Sequence, residues 1–141
     1  MSFKISALVQ SINLFHCAGS PCNNCDIELL DCLTPRYDVE RFGITLVGSV
    51  RHADLIVLSG AFNRKATIRA VRAYQQAPKP VAVMAMGCCA CTGHMFRESY
   101  NVDAPINKYI PVDIYVPGCP PKPEAMIASV VKLINKLKGN K

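Results

Sequence analysis

The sequence predicts an α/β domain on an open parallel sheet, from three observations. Short apolar runs punctuated by Gly and Pro alternate with segments of helical apolar spacing. Aliphatic residues abound while aromatics are only 7% and Trp is absent, which suits strand-and-helix layers better than an aromatic-rich β domain. The chain is 141 residues long and 50% hydrophobic, so residues 1–141 are read as one domain with one ordinary core.

Ile12 to Phe15 is a first strand, leaving through a loop from His16 to Pro21. Asp26 to Leu33 spaces Ile27, Leu29, Leu30 and Leu33 as a short helix, with acidic residues in its first turn and Pro35 past its end. Gly43 to Val47 and Ala53 to Ser59 are further strands, the second apolar enough to be buried on both faces. Arg64 to Gln76 is a crossover helix with Ile68, Ala70 and Val71 on one side and Arg69, Arg72 and Gln75 on another, closed by Pro78 and Pro80. Val81 to Met86 is a buried strand entering a Gly-Cys loop, Gly87 to Gly93, and Val112 to Val116 is another entering Pro117-Gly118-Cys119-Pro120-Pro121. Glu124 to Lys138 is a C-terminal helix with Met126, Ile127, Val130, Val131, Ile134 and Leu137 at helical spacing.

The formal charge of +6 is spread along the chain, with only Lys132, Lys136, Lys138 and Lys141 clustered at the end, so a solvated helix face is expected rather than a nucleic-acid surface. Lys4 and the run from Ile5 to Phe15 resemble a leader, but Gln10 and Asn13 interrupt it and His16 stands where a cleavage site needs a small residue. No stretch has the apolar length of a membrane span. The chain is expected to be cytoplasmic, with any membrane link made through a partner.

Eight cysteines without an export signal point to metal or redox chemistry rather than a disulfide framework. Cys22-Asn23-Asn24-Cys25 alone is weak, but a helix follows it, and a helix N-terminus favours thiolate. Three strand exits carry cysteines into loops, and in an open parallel sheet such loops gather on one edge. An iron-sulfur cluster needs thiolates converging from loops that can wrap it. Gly19, Gly87 and Gly118 precede the candidate ligands, where close backbone approach requires a missing side chain. Zinc can use the same Cys-x-x-Cys, although its second pair is usually also tight. A thioredoxin-like redox pair and buried, inert cysteines are the other readings.

The segment Gly19-Ser20-Pro21-Cys22-Asn23-Asn24-Cys25-Asp26-Ile27-Glu28-Leu29-Leu30 resembles the small subunit of group 4, energy-converting NiFe hydrogenases. So do Tyr37 to Ile44, Arg51 to Asp54, Met86-Gly87-Cys88-Cys89-Ala90 and Val116 to Glu124, in order over nearly the whole chain. The resemblance implies a flavodoxin-like domain, helices on both faces of its sheet, with one 4Fe-4S cluster on Cys22, Cys25, Cys89 and Cys119 at the C-terminal edge of the strands. The homologous complex I subunit typically has adjacent cysteines in the first motif, whereas here two residues separate them. Cys88 precedes Cys89 in tandem, and Cys89 is preferred for its place before Ala90. Cys17, Cys32 and Cys91 are expected to be small buried hydrophobes.

The implied partners are a large subunit holding the nickel-iron centre, a ferredoxin-like two-cluster subunit and complex I-like subunits in the membrane. Reduced ferredoxin is the implied donor to the assembly, for proton reduction or the reverse. The implied location is the cytoplasmic side of the membrane, peripheral and held by partners. Only four cysteines remain, too few for the about eight ligands of two further clusters. Glu28, one turn after the ligand pair, is a candidate for a proton path or a solvated first-turn carboxylate, and His16 is a candidate to tune the cluster or an ordinary structural histidine. The alternatives are the equivalent subunit of a quinone- or sulfur-reducing complex, and a zinc-binding structural module.

Overall fold

The computed structural model describes residues 11–139, with side chains through Lys136. The earlier part of the apolar run weighed as a leader, and Leu137, Lys138 and Lys141, fall outside the described side chains. The strands are β1 (Ile12–Ala18), β2 (Ile44–Leu46), β3 (Leu55–Ser59), β4 (Ala82–Met86) and β5 (Ile114–Val116). The helices are α1 (Asn24–Asp31), α2 (Arg64–Gln76), α3 (Gly87–Thr92) and α4 (Pro123–Gly139). All strands pair in parallel in the order β2-β1-β3-β4-β5, so the winding reverses between β1 and β3, as in flavodoxin-like domains.

The alternation of side chains along the central strands builds two cores. Leu55, Val57, Met84 and Met86 face α1 and α4, packing on Leu29, Cys32, Met126, Val130 and Leu133. Ile56, Leu58, Val83 and Ala85 face α2 and α3, meeting Ala70, Ala90, Phe62, Ile106 and Ile110. Every residue of β3 is buried, and each large aliphatic there stabilises the fold by roughly 1.5–3 kcal/mol. This is why β3 reads as an unbroken apolar run.

Several boundaries differ from the sequence reading. β1 runs on through His16, Cys17 and Ala18 instead of ending at Phe15, because β3 pairs with it as far as Ala18 opposite Ser59. Helix α2 buries Thr67 and Ala70, with Val71 half-buried, and leaves Ile68 55% exposed. The small Thr67 and Ala70 let the helix lie close to the sheet, and the Thr67 hydroxyl is satisfied by donating to the Asn63 carbonyl at 3.0 Å. Asn63 also caps the helix, its side chain accepting from the Ala66 amide at 2.8 Å. On α4, Val131 is 50% exposed. Residues Gly87 to Thr92 form the short helix α3 rather than a loop, closed by Gly93 at φ 87°.

Candidate functional site

The loops after β1, β3, β4 and β5 meet at the carboxyl edge of the sheet, beside the point where the winding reverses. There Cys22, Cys25, Cys88, Cys89 and Cys119 line one cavity, together with Gly60 and Phe96. The first pair comes from the β1 exit and the turn into α1, the tandem pair from the first turn of α3, and Cys119 from the loop after β5. Among the described residues no three His, Cys, Asp or Glu side chains are gathered for a single metal ion. The thiols instead stand around the cavity.

Local backbone chemistry sets this arrangement. Asn23, between the two cysteines of the first motif, sits in the left-handed region at φ 70°, which Asn tolerates better than most residues. Cys25 opens α1 and is buried. Its Sγ fills the notch left by Gly87: a Cβ there, at φ 84°, would lie 2.7 Å from that sulfur. The Cys88 amide donates to the Gly118 carbonyl at 2.8 Å, tying the second cysteine loop to the third. Gly19, grouped by sequence with the ligand-wrapping glycines, instead makes room for the Ala61 carbonyl and the Phe62 ring. Gly60 does what was expected of Gly19, since a Cβ there would lie 2.8 Å from Pro21, the residue before Cys22.

Burial pushes the Cys25 thiol up to about 11, and negative charge on Cys22, Cys89, Asp26 and Cys119 acts in the same direction. The positive end of α1, expected to favour thiolate, is outweighed. Burial, then charge on Cys119, Cys22 and Cys88, raises Cys89 as well. Cys25 thus couples to Cys22, Cys89 and Cys119. Cys32 is buried in the α1–α4 core, while Cys17 and Cys91 pack partly buried against the other core. None of these three lines the cavity.

His16 and Asp26 belong to a linked set that sequence spacing did not reveal. His16 Nε2 lies 2.8 Å from Ser59 Oγ and 3.1 Å from Asp26 Oδ1, and the Ser59 hydroxyl donates to Asp26 Oδ1 at 2.7 Å. The three contacts are compatible when Nε2 carries the ring proton. Ser59 is fully buried at the end of β3, so the set joins β1, β3 and α1 directly beneath the cysteine loop. Glu28 is half-buried on α1 and does not line the cavity.

A parallel sheet with helices on both faces and a thiol-lined cavity at its switch point places the chain among open-sheet α/β domains that carry their site at the carboxyl edge of the strands. The chain belongs to the NADH ubiquinone oxidoreductase 20 Kd subunit family, which matches residues 22–133. It is 48% identical over 124 residues to the probable membrane-bound hydrogenase subunit mbhJ of Pyrococcus furiosus, covering 88% of this chain and 74% of that one. It is 47% identical over 120 residues to the chloroplastic NAD(P)H-quinone oxidoreductase subunit K of Chlorokybus atmophyticus, covering 84% of this chain but only 43% of that protein. Among solved structures, a chain of the membrane-bound sulfane sulfur reductase, an archaeal respiratory membrane complex, superposes with a TM-score of 0.86 at 34% identity, over 98% of this chain and 76% of that one.

The residues present fit an iron-sulfur cluster. Thiolate sulfur is its ligand, the cavity is walled by cysteines from three separate loops, and a glycine notch seats the most buried of the thiols that line it. Metal ligands bind deprotonated, and cationic iron would offset the mutual repulsion of thiolates held this close.

Proposed function

We propose that this chain is the electron-relay subunit of an energy-converting NiFe hydrogenase, holding one 4Fe-4S cluster on Cys22, Cys25, Cys89 and Cys119. The observation that carries the reading is the single cavity shared by thiols from three loops at the sheet edge. When bound, the cluster supplies one-electron transfer between ferredoxin-like clusters of a partner and the nickel-iron site of a large subunit. The chain's own part is to hold four sulfurs in fixed positions. Cys25 is seated by Gly87, the tandem pair is tied to the Cys119 loop through Gly118, and the β1 and β3 exits are locked together at Gly60 and Pro21. Cys22 and Cys119 are exposed, so the cavity opens toward solvent on their side, where a docked partner excludes water.

Among the described residues no helix is long and apolar enough to cross a membrane. In this reading the chain is peripheral, on the cytoplasmic side, and held by membrane-embedded partners. Ferredoxin serves the whole assembly as donor. The first-motif spacing and the hydrogenase relative favour this assignment, while the sulfane sulfur reductase and quinone oxidoreductase relatives support a second, in which the same relay serves a sulfur- or quinone-reducing partner. Nickel in the co-purified large subunit decides between them, and its absence sinks the hydrogenase assignment. Anaerobically purified full chain should contain iron and acid-labile sulfide in equal amounts and give a paramagnetic signal on reduction. Zinc without sulfide overturns the cluster reading. Glu28, on the helix that begins at the ligands, is proposed as a proton-path residue at the partner interface. Glu28→Gln should slow hydrogen evolution with the cluster signal intact, and unchanged turnover removes it from the path.

A further inference from the structure

Five thiols line a cavity whose cluster takes four. We infer that Cys88 is a ligand held in reserve, able to take over the iron bound by Cys89. The inference rests on the cluster reading above. Both side chains are half-buried and both line the same cavity. They are neighbours in the first turn of α3, where successive side chains diverge by about 100°, so one of the two is directed at the cluster and the other lies beside it.

The backbone on either side of Cys88 allows an exchange. Gly87 precedes it without a Cβ and at positive φ, while its own amide is pinned to Gly118, one residue before the ligand Cys119. A turn of the first residues of α3 beyond that pinned amide moves one sulfur in as the other moves out. The third loop remains attached. The exchange swaps one thiolate for another and one S–H for another, so it is redox-neutral. No comparable spare thiol stands beside Cys22 or Cys119: Cys17 and Cys32 are packed in the two cores.

The test uses the full-length chain, purified anaerobically and reconstituted with iron and sulfide, and reads iron, sulfide and the electron paramagnetic spectrum. Cys89→Ala should retain most of the wild-type iron with shifted g values, and Cys88→Ala should retain iron with an unchanged spectrum. Cys22→Ala and the double variant Cys88→Ala/Cys89→Ala should lose the cluster. Loss of iron from Cys89→Ala as complete as from Cys22→Ala overturns the reserve role while leaving the four-cysteine site intact. An empty wild type sinks both readings. Alkylation of the loaded wild type, followed by mass mapping, tests the same assignment without a variant. Cys88 should react while Cys89 is protected, and the reverse pattern refutes it.

Discussion

Replacing Gly87 with Ala tests the site at its tightest point. The new Cβ would lie 2.7 Å from Cys25 Sγ on a residue at φ 84°. Holding a residue with a side chain in the left-handed region costs roughly 1–2 kcal/mol. The sulfur must also retreat by about 1 Å to reach ordinary van der Waals distance, and leaving its rotamer well costs a further ~0.5–1.5 kcal/mol. Cys25 has little room to retreat, since it is buried against Leu29 and the strand residues behind it. The cluster-free protein should therefore lose roughly 2–3 kcal/mol, a fall in melting temperature of about 6–10 °C for a domain of this size. Because the displaced atom is a proposed ligand, iron content after anaerobic reconstitution should fall as well, and by more than the stability loss alone explains. Gly48 is the control: nothing stands within 4 Å of its would-be Cβ and its φ is not in the strained range, so Gly48→Ala should stay near wild type in both assays. If Gly87→Ala melts within about 0.5 kcal/mol of wild type and loads iron with an unaltered spectrum, the notch does not position Cys25.

Other outcomes follow from the same geometry. Cys119→Ala should abolish the cluster while Cys17→Ala retains it, measured by iron and sulfide content, and iron loss in the Cys17 variant counts against the ligand set. Ser59→Ala removes the hydroxyl between His16 and Asp26, which remain 3.1 Å apart. It should cost about 1–2 kcal/mol in denaturant titration without emptying the site, and a variant as stable as wild type removes the triad as a tie between β1, β3 and α1. The folded, cluster-free chain holds protons on Cys25, Cys32 and Cys91 up to about 11, against an ordinary thiol value of 9.0. Between those values the unfolded chain has already lost those protons. It then binds fewer protons than the folded one, and stability falls as pH rises. The stabilisation is full below pH 9.0 and lost through about 11. Urea midpoints should show that decline, with a shallower slope in Cys32→Ala, and a flat profile contradicts it.

The parts of the site legible in the sequence are those where residue type and fold edge coincide. Cys22, Cys25 and Cys119 follow apolar runs that end in Gly or Pro, and a parallel sheet collects such exits on one side whatever the details of packing. The bounds of helix α2 were legible to the residue, because an amphipathic run starts at Arg64 and Pro78 and Pro80 close it. Contacts set by tertiary register were not. His16 was assigned to a loop because the apolar run stops at Phe15, yet pairing with β3 carries the strand onward and brings the ring to Ser59. Gly60 takes the place expected of Gly19 for the same reason: which glycine faces Pro21 depends on how β1 lies against β3. Ile68 was misplaced because helical periodicity alone allows two adjacent stripes, and the smaller side chains of Thr67 and Ala70 decide which one approaches the sheet.

The raised thiols give the fold and its cofactor a common energetics. In the cluster-free chain, burial and mutual proximity oppose ionisation of Cys25 and Cys89, whereas the proposed cluster would take them as thiolates, so loading should release protons and grow more favourable as pH rises. The same thiols are delivered by loops that leave the ends of the strands, while β3, which carries no cysteine, ends in Ser59 and is followed by Gly60 against the first of those loops. A ligand that binds only when those loops are in register stabilises the folded state by mass action. Loading should therefore protect the β1, β4 and β5 exits together, rather than the nearest loop alone, and would do so without reshaping the central strand β3, which is already buried on both faces.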